Sequence, residues 1–437
     1  MRCMRRKITD KLLRWKSQAA DRMPMLVYGA RQVGKTYAIK EFGREFYKNM
    51  IYVNFELDVG ISPYLDGNIS PEKIINVLEG YYHEKIIRSE TLIFFDEIQA
   101  CERALTSLKY FAEITPEYHV IAAGSLLGVA LNRSKFSFPV GKVLIEHLYP
   151  MDFEEFLWAK GKDLLVSEIR AHFIENTAIS EILHKEALNE YYDYLVTGGM
   201  PAVVKTQLTK EVPFTAEEVK NLILNSYVSD MAKYAGSSES VKIKGAYDSL
   251  PAQLAKDNRK FQYKLIKTGA RASLYGESID WLISSGIVLK CVKCEHGYMP
   301  PVAYQDLSGF KLYMNDIGLL SSRTGISLQS FAAGGMNQYA GALAENYVAC
   351  ALAANGKELM YWESKSIAEV DFLIIKDGGV IPIEVKSSNH NRSKSLVSYN
   401  EKYKPKYMIR ISSKNFGFEN NIKSVPLYSV FAIGETE

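Results

Sequence analysis

Short apolar runs punctuate the first third of the chain at Met25–Tyr28, Ile51–Phe55, Leu92–Phe95, His119–Ala123 and Val143–His147. Stretches of helical spacing separate them, and residues 8 to 20 carry Ile8, Leu12, Leu13 and Trp15 on an amphipathic pattern. Buried strands alternating with helices predict a parallel sheet covered on both faces. The ligands of such sheets bind at the carboxyl ends of the strands.

After Pro150 the pattern changes. Asp152 reads as a helix N-cap with Glu155 as its capping-box partner, and residues 153 to 235 contain helical runs broken at Thr197-Gly-Gly-Met-Pro201. Helical runs at 241–256, 261–267 and 272–284 follow, and Ser285-Gly286 then turns into the β-rich stretch Ile287–Lys293. That order suggests a helix-turn-helix with a wing. Lys264, Lys267 and Arg271 lie just before its second helix, and such a module binds DNA or protein. Small residues over 326–340 read as a linker.

Chemistry enters at the end of the first strand. Gly29-Ala30-Arg31-Gln32-Val33-Gly34-Lys35-Thr36 is G-x-x-x-x-G-K-T, a loop whose backbone N–H groups cradle phosphate. Lys35 reaches the terminal phosphates, the Thr36 hydroxyl sits on Mg²⁺, and the following helix points its positive end at the anion. A second element, Thr91-Leu-Ile-Phe-Phe-Asp96-Glu97, is an apolar strand ending in two acids. Asp96 suits the holding of Mg²⁺ and Glu97 the polarising of a water. Ser125, after the fourth strand, either touches the γ-phosphate or caps a helix.

A second constellation lies near the C-terminus. Glu369–Ile375 and Val380–Lys386 flank Asp377-Gly378, a strong hairpin signal. Counting outward from that turn sets Asp371 opposite Glu384 and Glu369 opposite Lys386. Strict alternation then puts all four on one face, with Val370, Phe372, Ile374, Ile381, Ile383 and Val385 on the other. Facing carboxylates repel, and a divalent cation held by Asp371 and Glu384 relieves the repulsion while Lys386 stabilises developing phosphate charge. A hairpin with one solvated face is the alternative. The helix from Gly341 to Gly356 has Glu345 as its one charged residue, either a third metal ligand or an acid favoured by the helix dipole.

Composition adds bounds. The 437 residues are 47% hydrophobic and 24% charged, enough for several ordinary globular domains, and a net charge of +3 is too small to argue for nucleic acid by itself. Cys3, Cys101, Cys291, Cys294 and Cys350 are scattered, which fits a reducing compartment; Cys291-x-x-Cys294 with His296 leaves a zinc site incomplete. No apolar run reaches the ~18 residues of a membrane span, and the basic N-terminus lacks the apolar core of a secretory signal. The expected location is cytoplasmic.

The N-terminal half resembles the AAA+ ATPases. The likeness is nearest to a prokaryotic family whose C-terminal region carries a domain of unknown function, DUF4143. It rests on residues 29–36, Phe94-Phe-Asp-Glu-Ile-Gln99, Phe138-Pro-Val-Gly-Lys142, Phe153-Glu-Glu-Phe-Leu157 and Gly198-Gly-Met-Pro-Ala-Val203. The C-terminal hairpin resembles the PD-(D/E)xK nuclease-like fold, with Glu345, Asp371, Glu384 and Lys386 at its motif positions. The resemblance implies a multi-domain α/β chain. Residues 1–152 are the P-loop ATPase core, 153–238 a helical lid, 239–325 a winged-helix-like domain and 326–437 a nuclease-like domain, with the DUF4143 region over roughly 200–390. It further implies ATP and Mg²⁺ as cofactors, Ser125 at the sensor position, and Arg133 as candidate arginine finger. A second Mg²⁺ or Mn²⁺ is expected at the C-terminal domain. Candidate partners are DNA, another protein or a second copy of the chain. Two functions follow: an ATPase coupled to a DNA nuclease, or a nucleotide-gated binding module whose nuclease-like domain only docks.

Overall fold

The computed structural model describes residues 4–18, 22–125, 128–129, 138–209, 213–234, 236–328, 339–364, 368–386 and 394–434. The chain forms two compact units. One is Met1–Tyr149 with Ser284–Gly286; the other is Pro150–Ile283 with Ile287–Glu437.

The first unit contains α1 (Ile8–Lys16), β1 (Met25–Tyr28), α2 (Lys35–Phe46), β2 (Asn49–Asn54), α3 (Pro71–Tyr82), β3 (Thr91–Asp96), α4 (Glu102–Ile114), β4 (His119–Gly124) and β5 (Leu144–His147). The strands pair in parallel in the order β2-β3-β4-β1-β5. Every residue of β3 and β4 is buried, as central parallel strands require. Leu26, Ile51, Val53, Ile93, Phe95, Val120 and Ala122 pack with Ile74 and Leu78 of α3 and Leu105, Leu108 and Phe111 of α4. The parallel sheet read from the sequence is therefore present, and β1 and β3 both deliver their C-terminal ends beside β4.

His119 opens β4 in the core, only 2% exposed, with Nδ1 2.7 Å from the Tyr47 hydroxyl. Burial, helped by Arg22 and Lys16, pushes its imidazole down to about 4. The unfolded chain titrates near 6.5, so between these values it takes up a proton that the folded chain refuses. Stability is complete above about pH 6.5 and falls as the pH drops toward 4. Chemical denaturation at pH 7 and pH 5 should show a loss of roughly 2 kcal/mol in the wild type that His119→Gln lacks. Equal losses in the two proteins would contradict this.

The second unit begins with α5 (Phe153–Ala159), capped as expected: the Asp152 carboxylate accepts from the Glu155 N–H, and the Glu155 carboxylate from the Asp152 N–H. Next come α6 (Asp163–Glu175), α7 (Glu181–Thr197), α8 (Pro201–Leu208), α9 (Ala216–Tyr234), α10 (Ser237–Leu254) and α11 (Ala272–Ser284). They are followed by β6 (Val288–Cys294), β7 (Gln305–Met314), α12 (Ile317–Thr324), α13 (Ala340–Ala354), β8 (Met360–Ser364), β9 (Ala368–Lys376) and β10 (Gly379–Val385). The chain ends with α14 (Lys394–Tyr403), β11 (Met408–Ser412), β12 (Gly417–Glu419) and β13 (Ile422–Pro426).

One mixed sheet runs β12-β13-β11-β10-β9-β8-β6-β7. The sheet draws strands from both sides of the expected boundary near residue 326. The β6–β7 hairpin, read as the wing of a separate domain, pairs through Val292–Cys294 with Met360–Trp362 of β8. The hairpin's buried Val288, Cys291 and Cys294 have their cover here. Cys294 joins Trp362, Val370, Leu373, Val380, Leu396 and Tyr399 in one apolar cluster.

Candidate functional site

Backbone geometry builds the first site. Gly34 precedes α2 at φ 95°, a left-handed conformation that costs little only without a Cβ. Gly29 ends β1 so close to the next segment that a Cβ there would lie 2.1 Å from the Leu148 carbonyl oxygen. Between them Ala30 and Val33 are buried, Arg31 is half-buried and Gln32 is exposed. Gln32 also has positive φ, 67°. The loop is thus a turn held open by two glycines, at the N-terminus of a twelve-residue helix.

Lys35 is 7% exposed, and its ammonium donates to the carbonyls of Gly29 and Ala30, each at 2.9 Å. Burial pulls its pKa down to about 8 against the opposing pull of Glu97 and Asp96. Thr36 Oγ1 donates to Asp96 Oδ2 at 2.8 Å, and the Tyr52 hydroxyl donates to the same oxygen at 3.0 Å. Burial raises the Asp96 carboxyl, Glu97 adds to the rise, and Thr36 and Tyr52 oppose it. Glu97 adopts φ 49°, a left-handed conformation that is strained for a residue with a Cβ. Its carboxylate accepts from Ser125 Oγ at 3.1 and 3.2 Å and from Gln99 Nε2 at 2.6 Å.

The structure therefore gathers Lys35, Thr36, Asp96, Glu97 and Ser125 at the carboxyl ends of β1, β3 and β4. A hydroxyl and a carboxylate oxygen 2.8 Å apart can share one divalent cation, and the loop's open turn fits a phosphate. Arg133 lies outside the described residues.

Three contributors were missed in the sequence. Tyr52 reaches Asp96 from β2, and Gln99 holds Glu97. Arg6, 5% exposed, donates to the carbonyls of Val33 at 2.9 Å and Tyr149 at 2.8 Å, pinning the loop to the segment after β5. Gln99 lies two residues after Glu97, within the Phe94–Gln99 stretch, whereas Tyr52 is 44 residues from Asp96 with no local pattern to mark it. Arg6 is 27 residues from its contact in the loop, and no local pattern marks it.

The C-terminal residues assemble differently from expectation. Asp377 and Gly378 both have positive φ, and Ile383 pairs with Phe372, so the hairpin register is as counted. Beyond that rung the Asp371 Oδ2 accepts from the Val385 N–H at 2.7 Å. Against β8, however, Met360 pairs with Leu373 and Trp362 with Val370. Two steps on β8 meet three on β9, so β9 carries a bulge at Asp371–Phe372. Val370 consequently joins the cluster of Leu373 and Val380 rather than the face of Phe372, and strict alternation fails there.

Glu345 is 1% exposed, in the second turn of α13. Its Oε1 accepts from Lys311 Nζ at 3.0 Å and the Tyr313 hydroxyl at 2.5 Å, and its Oε2 pairs with Arg259. Burial pushes its carboxyl up, but Arg259 and Lys311 outweigh that and hold it well below the usual range. Glu384 Oε1 pairs with Lys386 at 2.7 Å, and the buried Oε2 has no partner among the described residues. Among the described residues no group of three or more His, Cys, Asp or Glu is placed to hold a metal ion. Glu345, Asp371 and Glu384, the expected metal set, do not form such a group, and neither do Cys291, Cys294 and His296, which the sequence already left incomplete as a zinc site. Cations already occupy Glu345, and the two thiols are buried.

With the sheet order, the glycine loop and the paired acids in place, the first unit has an AAA-type P-loop ATPase fold. Residues 21–157 match the family model described as AAA domain. Residues 188–330 match a domain of unknown function, DUF8612, and residues 340–430 match DUF4143. The DUF4143 region thus starts at 340 rather than near 200. No curated protein matches the chain. Among solved structures it is similar to the Walker-type ATPase paby2304 of Pyrococcus abyssi, at 14% identity and TM-score 0.42 over 74% of this chain and 96% of that one. It is also similar to the Aeropyrum pernix ORC1 protein solved in complex with DNA, at 12% identity and TM-score 0.27 over 75% and 92%. A third is Cdc6p from Pyrobaculum aerophilum, at 11% identity and TM-score 0.28 over 74% and 92%. No helix among the described residues is long and apolar enough to cross a membrane.

Proposed function

We propose that the protein binds and hydrolyses ATP at the Gly29–Thr36 loop, and that the nucleotide gates binding of a partner, protein or DNA. The observation that carries the reading is the 2.8 Å hydrogen bond from Thr36 to Asp96, which aligns a hydroxyl and a carboxylate beside the glycine-held turn. Mg²⁺, held there by Thr36 and Asp96, would neutralise charge developing on the phosphates. Lys35 turns its ammonium from the Gly29 and Ala30 carbonyls to the terminal phosphate oxygens. Glu97 orients a water for attack on the γ-phosphorus and takes up its proton as the bond to the bridging oxygen breaks. Ser125 and Gln99 hold Glu97 in position for that task.

DNA cleavage by the second unit is the competing reading. It draws on the unpartnered Glu384 Oε2 beside Lys386, with Asp371 on the facing strand. Incubating the wild type with Mg²⁺, ATP and plasmid separates the two. The gating reading expects phosphate release that stops with EDTA, and intact plasmid. No phosphate release rejects the ATPase; plasmid cut by the wild type and spared by Glu384→Ala establishes cleavage.

A further inference from the structure

The strand β7 edge brings cations to the C-terminal acids. Lys311, on β7 opposite Cys291, is fully buried and bridges two carboxylates, Glu345 of α13 at 3.0 Å and Glu369 of β9 at 2.5 Å. Residues 260–261 extend that edge: Lys260 bridges to Lys311, and the Phe261 N–H donates to the Phe310 carbonyl at 2.9 Å. This fixes the turn at Arg259, whose backbone has φ 48°, so that its guanidinium meets Glu345 Oε2 and the ammonium of Lys260 meets Glu363 of β8. Arg259, Lys260 and Lys311 thus face Glu345, Glu363 and Glu369. The cations belong to the stretch matching DUF8612 and the acids to the stretch matching DUF4143.

We propose that these side chains are the built-in counter-ions of the C-terminal carboxylates. They do the neutralising that a divalent cation would do, and they clasp the β7 edge onto α13, β8 and β9. Glu345, Glu363 and Glu369 are therefore structural acids that need no metal. Oε1 of Glu345 already accepts two hydrogen bonds and Oε2 pairs with Arg259, so a metal approaching either oxygen meets a resident cation. Lys311 has no exposure to solvent, and moving a buried ammonium away from its carboxylates strands unpaired charge in a low-dielectric setting. A metal bound without displacing Lys311 would sit against a like charge there. Breaking the clasp by removing one partner should therefore destabilise more than removing both.

The test uses nucleotide-free full chain carrying Thr36→Ala, which disables the other metal site, with Mn²⁺ uptake read by electron paramagnetic resonance and melting by calorimetry. The parent should take up no Mn²⁺ that depends on Glu345 or Asp371. Lys311→Met should melt lower by roughly 10 °C, and adding Glu345→Gln to it should recover part of the loss. Arg259→Gln, which frees only one oxygen of Glu345 and leaves Lys311 in place, should fold and melt lower, with Mn²⁺ leaving its melting temperature unchanged. A parent that binds one Mn²⁺ and loses it in Glu345→Gln or Asp371→Asn overturns the proposal. So does a double variant that melts no higher than Lys311→Met alone, or an Arg259→Gln protein that melts like the parent. None of these outcomes depends on ATP, so the clasp stands or falls apart from the ATPase reading.

Discussion

Lys35→Ala should weaken ATP binding by at least about a hundredfold. The expected reading is a fluorescent ATP analogue whose anisotropy saturates with the wild type and stays low with the variant. The effect is large because of what Lys35 does without ligand: its buried ammonium spends its hydrogen bonds on the Gly29 and Ala30 carbonyls. A triphosphate offers anionic oxygens in place of those neutral carbonyls, adding a direct charge–charge attraction to the hydrogen bonds. Burial has already drawn the pKa to about 8, which an anion at the loop would reverse. Alanine leaves the loop carbonyls unpaired in the cavity and the phosphates without their cation. The fold should survive, since Gly34 and the helix start do not depend on the side chain. A variant that binds the analogue as the wild type does would remove Lys35 from the site.

Glu97→Gln should separate binding from turnover. Its amide keeps the shape and can still accept from Ser125 or Gln99, but it cannot take a proton from water. Phosphate release is expected to fall by on the order of 10² to 10³, within the range for a lost general base, while affinity for ATP changes by less than about threefold. If affinity collapses with turnover, Glu97 supports the loop instead of the water. The left-handed backbone at Glu97 bears on this, because strain of that kind persists only where surrounding contacts impose it. Here Ser125, Gln99 and the Asp96–Glu97 hydrogen bond do so.

How much of this was legible in the sequence depended on how local each signal was. The loop at Gly29–Thr36 and the acids at Asp96 and Glu97 were readable because binding of phosphate and Mg²⁺ constrains residue types at fixed spacing, here on the ends of β1 and β3, which flank β4. The Asp377-Gly378 turn was readable because two consecutive positive φ values suit few dipeptides, and it fixed the β9–β10 register. The bulge at Asp371–Phe372 was not, since it is set by β8, a partner that carries no turn signal toward β9. The β6–β7 hairpin looked like a wing because its own alternation is the same whether a neighbouring strand lies beside it or not. The partners of Glu345 come from Arg259 and Lys311, 86 and 34 residues away. Nothing in the helix Ala340–Ala354 announces them. Its one acid was read as a metal ligand or a dipole effect, and buried cations hold it instead.

The central claim is that the turn between β1 and α2 grips a polyphosphate together with Mg²⁺ at Thr36 and Asp96. Calorimetric titration of Mg²⁺-ATP into nucleotide-free wild type tests it most directly. The account predicts saturable binding of one ATP per chain, sharply weakened when EDTA removes the cation or Thr36 is replaced by alanine. Absence of heat with the wild type, or binding indifferent to both changes, would contradict it.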